Sequence, residues 1–238
     1  MLLIDLEGLK SLNDLFLHII RQNLSDDALE WLKTKVELIK TEEKSIQLNL
    51  TFSHLPRLAG KQPIVLHAED KTKIAQLLPG FSLKEWTADR LSRVWLLMQL
   101  SDEYKDTYIK KISGLFIGSE MNEQIALYSA LPFLSYADEW VSRCEDGIRS
   151  NIGTVLEAIM YHNPYPAHFL SEGAWNQLVL KAFFTDKDVY CIVGLNERSN
   201  HALADTLSDY VQERLAAHRT VNPEIYKLIE QKNRQYKF

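Results

Sequence analysis

Nonpolar residues recur along most of this chain three and four positions apart, the period of one face of an α-helix. Leu9, Leu12, Phe16, Ile19 and Ile20 form one stripe, and Leu29, Leu32, Val36 and Ile39 a second. Leu91, Val94, Trp95 and Met98 make a third, preceded by Ser82 and Glu85, which fit an S-x-x-E capping box at its start. Tyr108, Ile109, Ile112, Leu115 and Phe116 give a fourth stripe, and Ile125, Tyr128 and Leu131 a fifth. Gly80, Gly118 and Pro132 fall where one pattern stops and the next begins, as helix terminators do. Asn222-Pro223-Glu224 reads as N-cap, first-turn proline and a favourable acid for a last short helix.

Three stretches depart from this pattern. Ile46, Leu48, Leu50 and Phe52 alternate with polar residues as in a strand. The same stretch holds Leu48, Phe52 and Leu55 at helical spacing, and no clear second strand exists to pair with it, so helix is predicted. Val189 to Leu195 is short and β-branched, either a stub of strand or a buried loop. Gly60 to Asp70 is the expected irregular connection. The prediction is one all-α domain over residues 1–238. Its helices form antiparallel pairs, packed as a bundle or as a short, repeat-like α-solenoid array with little or no β-structure.

Composition narrows the function classes more than the fold. With 238 residues, 46% hydrophobic and 25% charged, the chain resembles an ordinary soluble globular protein and can bury a core without metal or disulfide support. A net charge of −5 argues against nonspecific nucleic-acid binding as the main activity. Cys144 and Cys191 are the only cysteines, and two lone cysteines in a chain this size read as small buried hydrophobes. The opening M-L-L-I-D-L-E-G-L-K has no basic n-region, and no apolar run approaches the ~20 residues of a membrane span. The expectation is a cytoplasmic protein with no direct membrane insertion.

Polar groups concentrate between Glu145 and Lys181, in a region otherwise rich in Ile, Leu, Val and Phe. A packed core needs none of them, and each costs free energy if buried without a partner. Glu145 and Arg149 have the spacing of a helix-surface ion pair. Asn151 is placed to cap the helix carrying Val155, Leu156 and Ile159. Glu157, at the edge of that helix's stripe, is either solvated or buried against Arg149 or Lys181. H-N-P-Y-P, His162 to Pro166, forces extended geometry at Asn163 and Tyr165. It serves either as a rigid connector or as a preorganised loop presenting both side chains to a ligand.

On the next helix, a wheel of about 100° per residue from Trp175 puts Asn176 inside the apolar arc, between Phe183 and Leu180. Gln177 and Lys181 fill the narrow polar sector. Asn176 must therefore find partners in the interior, with main-chain groups freed by the proline turn the nearest candidates. Farther on, Arg198 and Asn200 stand at the N-terminal approach of a helix, where they either cap it or help bind an anion.

Signatures of known chemistry are missing. G-x-S-x-G, the P-loop, G-x-G-x-x-G, H-E-x-x-H and C-x-x-C do not occur. Glu157, His162 and His168 lack a metal-ligand spacing, so no metal and no cofactor is expected.

E-D-G-I-R-S-N (145–151), the N-P-Y-P turn (163–166), A-W-N-Q…L-K (174–181) and G-L-N-x-R-x-N (194–200), taken in order, resemble the EboA family of metabolite-traffic proteins. The likeness extends into D-Y-V-Q-E-R (209–214). It implies a mostly helical cytoplasmic protein from a gene cluster that moves secondary-metabolite precursors toward the periplasm. It implies as partners a small-molecule metabolite, a membrane prenyltransferase-like protein and barrel-type enzymes of that cluster. The family carries no catalytic residues onto this chain.

Two readings follow. The first is a non-catalytic small-molecule-binding or scaffold protein. Its pocket would be largely apolar, near the proline turn, with Arg149, Asn151, Glu157, Asn163, Tyr165, Trp175, Asn176, Lys181 and Arg198 as candidate ligand-binding residues. The second is an enzyme acting on an anionic, phosphorylated or prenylated small molecule. There Arg149, Lys181 and Arg198 would hold the anion, and Glu157 or His162 would act as acid or base.

Overall fold

A computed structural model describes residues 3–234, with side chains described through residue 230. Met1 and Leu2, which begin the segment read for a leader, lie outside the described residues. The amphipathic stripes become helices because each has one face that only a neighbouring helix can shield from water. The first is α1 (Leu6–Asn23), capped by Asp5, followed by α2 (Asp26–Thr41), capped by Ser25. The alternating segment is indeed helical, as α3 (Ile46–Ala59). It buries Leu48, Phe52 and Leu55 and leaves Ile46 and Leu50 exposed.

After α4 (Ala68–Leu77) and α5 (Ala88–Leu97) come α6 (Lys105–Phe116) and α7 (Met121–Ala130). Then follow α8 (Val141–Ile148), α9 (Gly153–Met160), α10 (Tyr165–Phe169), α11 (Glu172–Phe184), α12 (His201–Ala216) and α13 (Glu224–Arg234). Helices pack on helices, and no strand or sheet forms among the described residues. One hydrophobic cluster runs from Ile4 to Leu228. Gly80 and Gly118 take left-handed φ of 84° and 72° just beyond α4 and α6, which is why glycine serves at those breaks.

The capping-box expectation at Ser82 fails. Ser82 instead accepts a hydrogen bond from the Lys84 N–H, Glu85 has φ 62°, and α5 starts only after Thr87. A capping box does form at Glu120 and Glu123, ahead of α7. Asn222 accepts from the Glu224 N–H at 3.0 Å, at the start of α13. The 189–195 segment is a short 3-10 turn followed by loop, with one bridge between Ile192 and Tyr161. A second bridge, Pro63 to Thr87, ties the 60–67 connection to the start of α5.

Candidate functional site

A cleft of about 350 Å³ opens where five parts of the chain meet. The 82–87 loop and the first turn of α5 supply Trp86 and Arg90, and α7 supplies Asn122. The end of α9 supplies Glu157, Tyr161 and His162, and the turn after α11 supplies Asp188 and Cys191. Backbone pairing fixes the α5 side. Ile64 N–H donates to Trp86 O, Ala88 N–H to Gln62 O and Asp89 N–H to Gly60 O.

Arg90 is held from two sides. Its guanidinium lies 4.3 Å from the Trp86 ring centroid, a cation–π stack. Its Nε donates to Ser129 Oγ at 2.9 Å, and that hydroxyl donates to the Ile125 carbonyl. Among the described residues the two terminal amino groups of Arg90 meet no hydrogen-bond acceptor. Burial pulls the guanidinium down to about 9, against the opposing pull of Asp89 and Glu157. Arginine this far from its ordinary value is still a cation at neutral pH.

Beneath the cleft lies a buried ion pair. Arg93 reaches Asp89 Oδ2 at 2.9 Å, with side-chain exposures of 2% and 4%. Its Nε donates to the Phe52 carbonyl at 2.8 Å, and Glu123 stands 3.9 Å away. Thr87 donates to the other Asp89 oxygen at 2.6 Å. Asp89 is therefore occupied from below, and Arg90 must find its counter-charge elsewhere.

The opposite wall carries Glu157, held at 2.5 Å by Lys187. Tyr161 accepts from the Asp188 N–H at 2.7 Å, and burial raises its phenol above the usual range. The main-chain N–H of His162 donates to the Cys191 carbonyl at 2.8 Å. Burial, then Lys84, hold its imidazole below the ordinary histidine value. Burial and the Asp188 hydrogen bond raise the Cys191 thiol, the reverse of what an activated nucleophile needs. Two non-glycine residues with left-handed backbone, Glu85 (φ 62°) and His162 (φ 51°), both line this cleft. Such positions persist only where the surrounding structure enforces them.

The residues singled out in the sequence occupy several places. Glu157 lines the cleft, but its partner is Lys187 rather than Arg149 or Lys181. Arg149 is exposed and pairs with Asp146, not Glu145, because it sits just past the end of α8. Asn151 does not cap α9, whose cap position is Ile152. It accepts instead from Lys181 Nζ at 3.2 Å. Lys181 in turn borders a separate groove between α11 and α12, with Phe184 and Tyr210.

Asn163 is interior. Its amide donates to the Tyr128 and Ala158 carbonyls and accepts from the Tyr165 N–H. Tyr165 is fully buried, with its hydroxyl on the Ala137 carbonyl at 2.6 Å. Asn176 is buried as the helical wheel requires, but its partner is a side chain, not main chain freed by the proline turn. It exchanges amide hydrogen bonds with Asn200 at 3.1 and 2.9 Å. Arg198 lies 4.9 Å from the Trp175 ring centroid and donates to the Pro166 and Ala167 carbonyls. Trp175 is fully buried. Arg149, Lys181 and Arg198 thus have separate partners and do not meet at one point.

The cleft does adjoin the proline corner, through His162, but its walls are strongly charged rather than largely apolar. Arg90, Trp86, Ser129 and Lys187 were missed in the sequence. The available signal was Leu96 and Leu97, which carry apolar positions round to the side of α5 away from its stripe and leave Arg90 and Arg93 with little polar face.

No group of three or more His, Cys, Asp or Glu side chains among the described residues is arranged to hold a metal ion. No described helix is long and apolar enough to cross a membrane. No curated protein and no solved structure matches the chain. The family model for "Metabolite traffic protein EboA" matches residues 12–230. That match takes in α5, α7, α9 and the whole cleft as well as the polar C-terminal motifs, and the chain belongs to the EboA family.

Proposed function

We propose that the cleft holds a small metabolite through a carboxylate or phosphate group seated on Arg90. In this reading the chain is a non-catalytic carrier in the traffic of a secondary-metabolite precursor. One observation carries the reading: Arg90 is fixed by Ser129 and Trp86, while its terminal amino groups have no partner among the described residues and stand at the cleft wall. A guanidinium held in one orientation with its terminal amino groups open to the cleft is prepared to take a bidentate anion at little further entropic cost. The volume, about 350 Å³, is at the small end of ligand sites. Family membership supplies metabolite handling as the context.

The test is native mass spectrometry and thermal-shift measurement on the purified chain, wild type against Arg90→Met, with a panel of small carboxylates and phosphate monoesters. Binding by the wild type that the variant loses, with the ligand recovered unchanged, supports the reading. Equal binding by both proteins removes Arg90 from it, and recovery of a converted product replaces the carrier with an enzyme.

A further inference from the structure

The charge pattern of the cleft narrows its ligand beyond a generic anion, on the reading that Arg90 is the anchor. Arg90 and Glu157 both face the cleft and feel one another electrostatically, yet form no ion pair. Glu157 is half-buried, and Lys187 takes only its Oε1. Its Oε2 accepts no hydrogen bond among the described residues. The cleft therefore presents two unused functions of opposite sign: the terminal amino groups of Arg90 and one carboxylate oxygen of Glu157.

The surrounding charges are balanced. Lys84, Arg90 and Lys187 stand against Glu85, Glu157 and Asp188, while Asp89 is spent on Arg93. A polyanion seated on Arg90 would bring further negative charge to a cleft whose carboxylates already match its cations, and would leave the second oxygen of Glu157 unused. A simple monoanion would use the Arg90 fork and leave the second oxygen of Glu157 without a ligand partner. A molecule with one anionic and one cationic end satisfies both.

We infer that the ligand is a zwitterionic amino acid-type metabolite, its carboxylate on the Arg90 fork and its ammonium on the free oxygen of Glu157. Trp86, already stacked on Arg90, contributes an apolar wall for the body of the molecule. His162, held neutral by burial and by Lys84, adds no positive charge that would repel the ammonium at neutral pH.

The experiment is isothermal titration of the full chain with two matched triads. One is L-phenylalanine, 3-phenylpropionate and 2-phenylethylamine. The other is 5-aminopentanoate, pentanoate and butylamine, which places the charges farther apart. Inorganic diphosphate serves as the polyanion. At least one zwitterion should bind about tenfold or more tighter than its deaminated and decarboxylated partners, the scale of one charge-assisted hydrogen bond. Glu157→Gln should lower that zwitterion to the level of its deaminated acid, and Arg90→Met should abolish both. Lys187→Met, which frees both oxygens of Glu157, should tighten the zwitterion but not its deaminated acid, and an equal effect on the two rejects the Glu157 contact if E157Q is unstable.

If the plain acid binds as tightly as the zwitterion and E157Q changes nothing, the zwitterion inference falls while the Arg90 anchor stands. Diphosphate binding tighter than either zwitterion has the same consequence. Acid binding unaffected by R90M removes the anchor itself, and no binding by any probe counts against both.

Discussion

The buried Asp89–Arg93 pair is the place where a single atom change should cost the most. Asp89→Asn keeps the side-chain shape and removes the charge. Arg93, 2% exposed, would then sit beside an amide, with Glu123 at 3.9 Å as the nearest remaining carboxylate. Stripping one partner from a buried ion pair costs ~3–5 kcal/mol. Because Glu123 and the Phe52 carbonyl still engage the guanidinium, we place the cost at the lower end, ~3 kcal/mol, a large share of the ~5–15 kcal/mol that holds a typical domain together.

The assay is urea unfolding followed by far-UV circular dichroism for D89N, R93M and the double variant. With both charges removed no uncompensated charge stays buried, so the double variant should be less destabilised than the two singles added together, by ~1–3 kcal/mol. If D89N costs under ~1 kcal/mol, or the singles add without coupling, the pair does not bind α3, α5 and α7 into one unit and the argument is wrong.

Four further outcomes are expected. Gly147→Ala would put a Cβ 2.4 Å from Ile159 Cδ1 and 2.7 Å from the Tyr128 ring, so it should destabilise by ~1–3 kcal/mol in the same unfolding assay. Asn176→Ala removes one half of a reciprocal amide pair and should cost ~1–3 kcal/mol. Asn200→Ala should cost at least as much, because Asn200 also caps α12 through the Leu203 N–H. Arg149→Ala, on an exposed i,i+3 pair, should stay within ~0.5 kcal/mol of wild type and leave ligand affinity unchanged. His162 has a folded value below its unfolded 6.5, so its contribution to stability is complete above pH 6.5 and is lost as pH falls through the folded value. His162→Asn, which tolerates the left-handed φ of 51°, should flatten that fall in melting temperature between pH 7 and 5, and parallel profiles for the two proteins would reject the assignment.

The helices were legible because burial imposes the 3.6-residue period on every element of a helix-on-helix protein. Even Ile46–Phe52, with its strand-like alternation, had to be a helix once no partner strand existed to satisfy its backbone. The site was legible only in part. The wheel located Asn176 in the interior correctly, since a residue's angular position follows from local geometry. It could not name Asn200 as the partner, because that contact depends on how α11 and α12 come together. Glu157 does line the cleft, yet its partner Lys187 lies thirty residues away along the chain, at a separation local spacing does not fix. Ser82 and Glu85 show the reverse failure. Their spacing fits a capping box, but pairing of residues 60–64 with 86–89 draws the chain into a bend and delays the helix to Ala88.

The motifs of the C-terminal half and the cleft are connected through backbone rather than through a shared ligand contact. Asn163 ties the Ala158 carbonyl of α9 to the Tyr128 carbonyl of α7 and to the Tyr165 N–H at the proline turn. Tyr128 is followed directly by Ser129, the hydroxyl that orients Arg90, and Ala158 directly follows Glu157 on the opposite wall. One buried amide therefore fixes the distance between the two cleft walls at their roots. Polar side chains with no access to a ligand are retained in an apolar region because amide hydrogen bonds are directional, and packing of Ile and Leu alone would let α7 and α9 slide relative to each other. The proline corner thus meets the cleft directly only through His162, while Asn163 behind it ties together the backbone from which Glu157 and Arg90's partner Ser129 project.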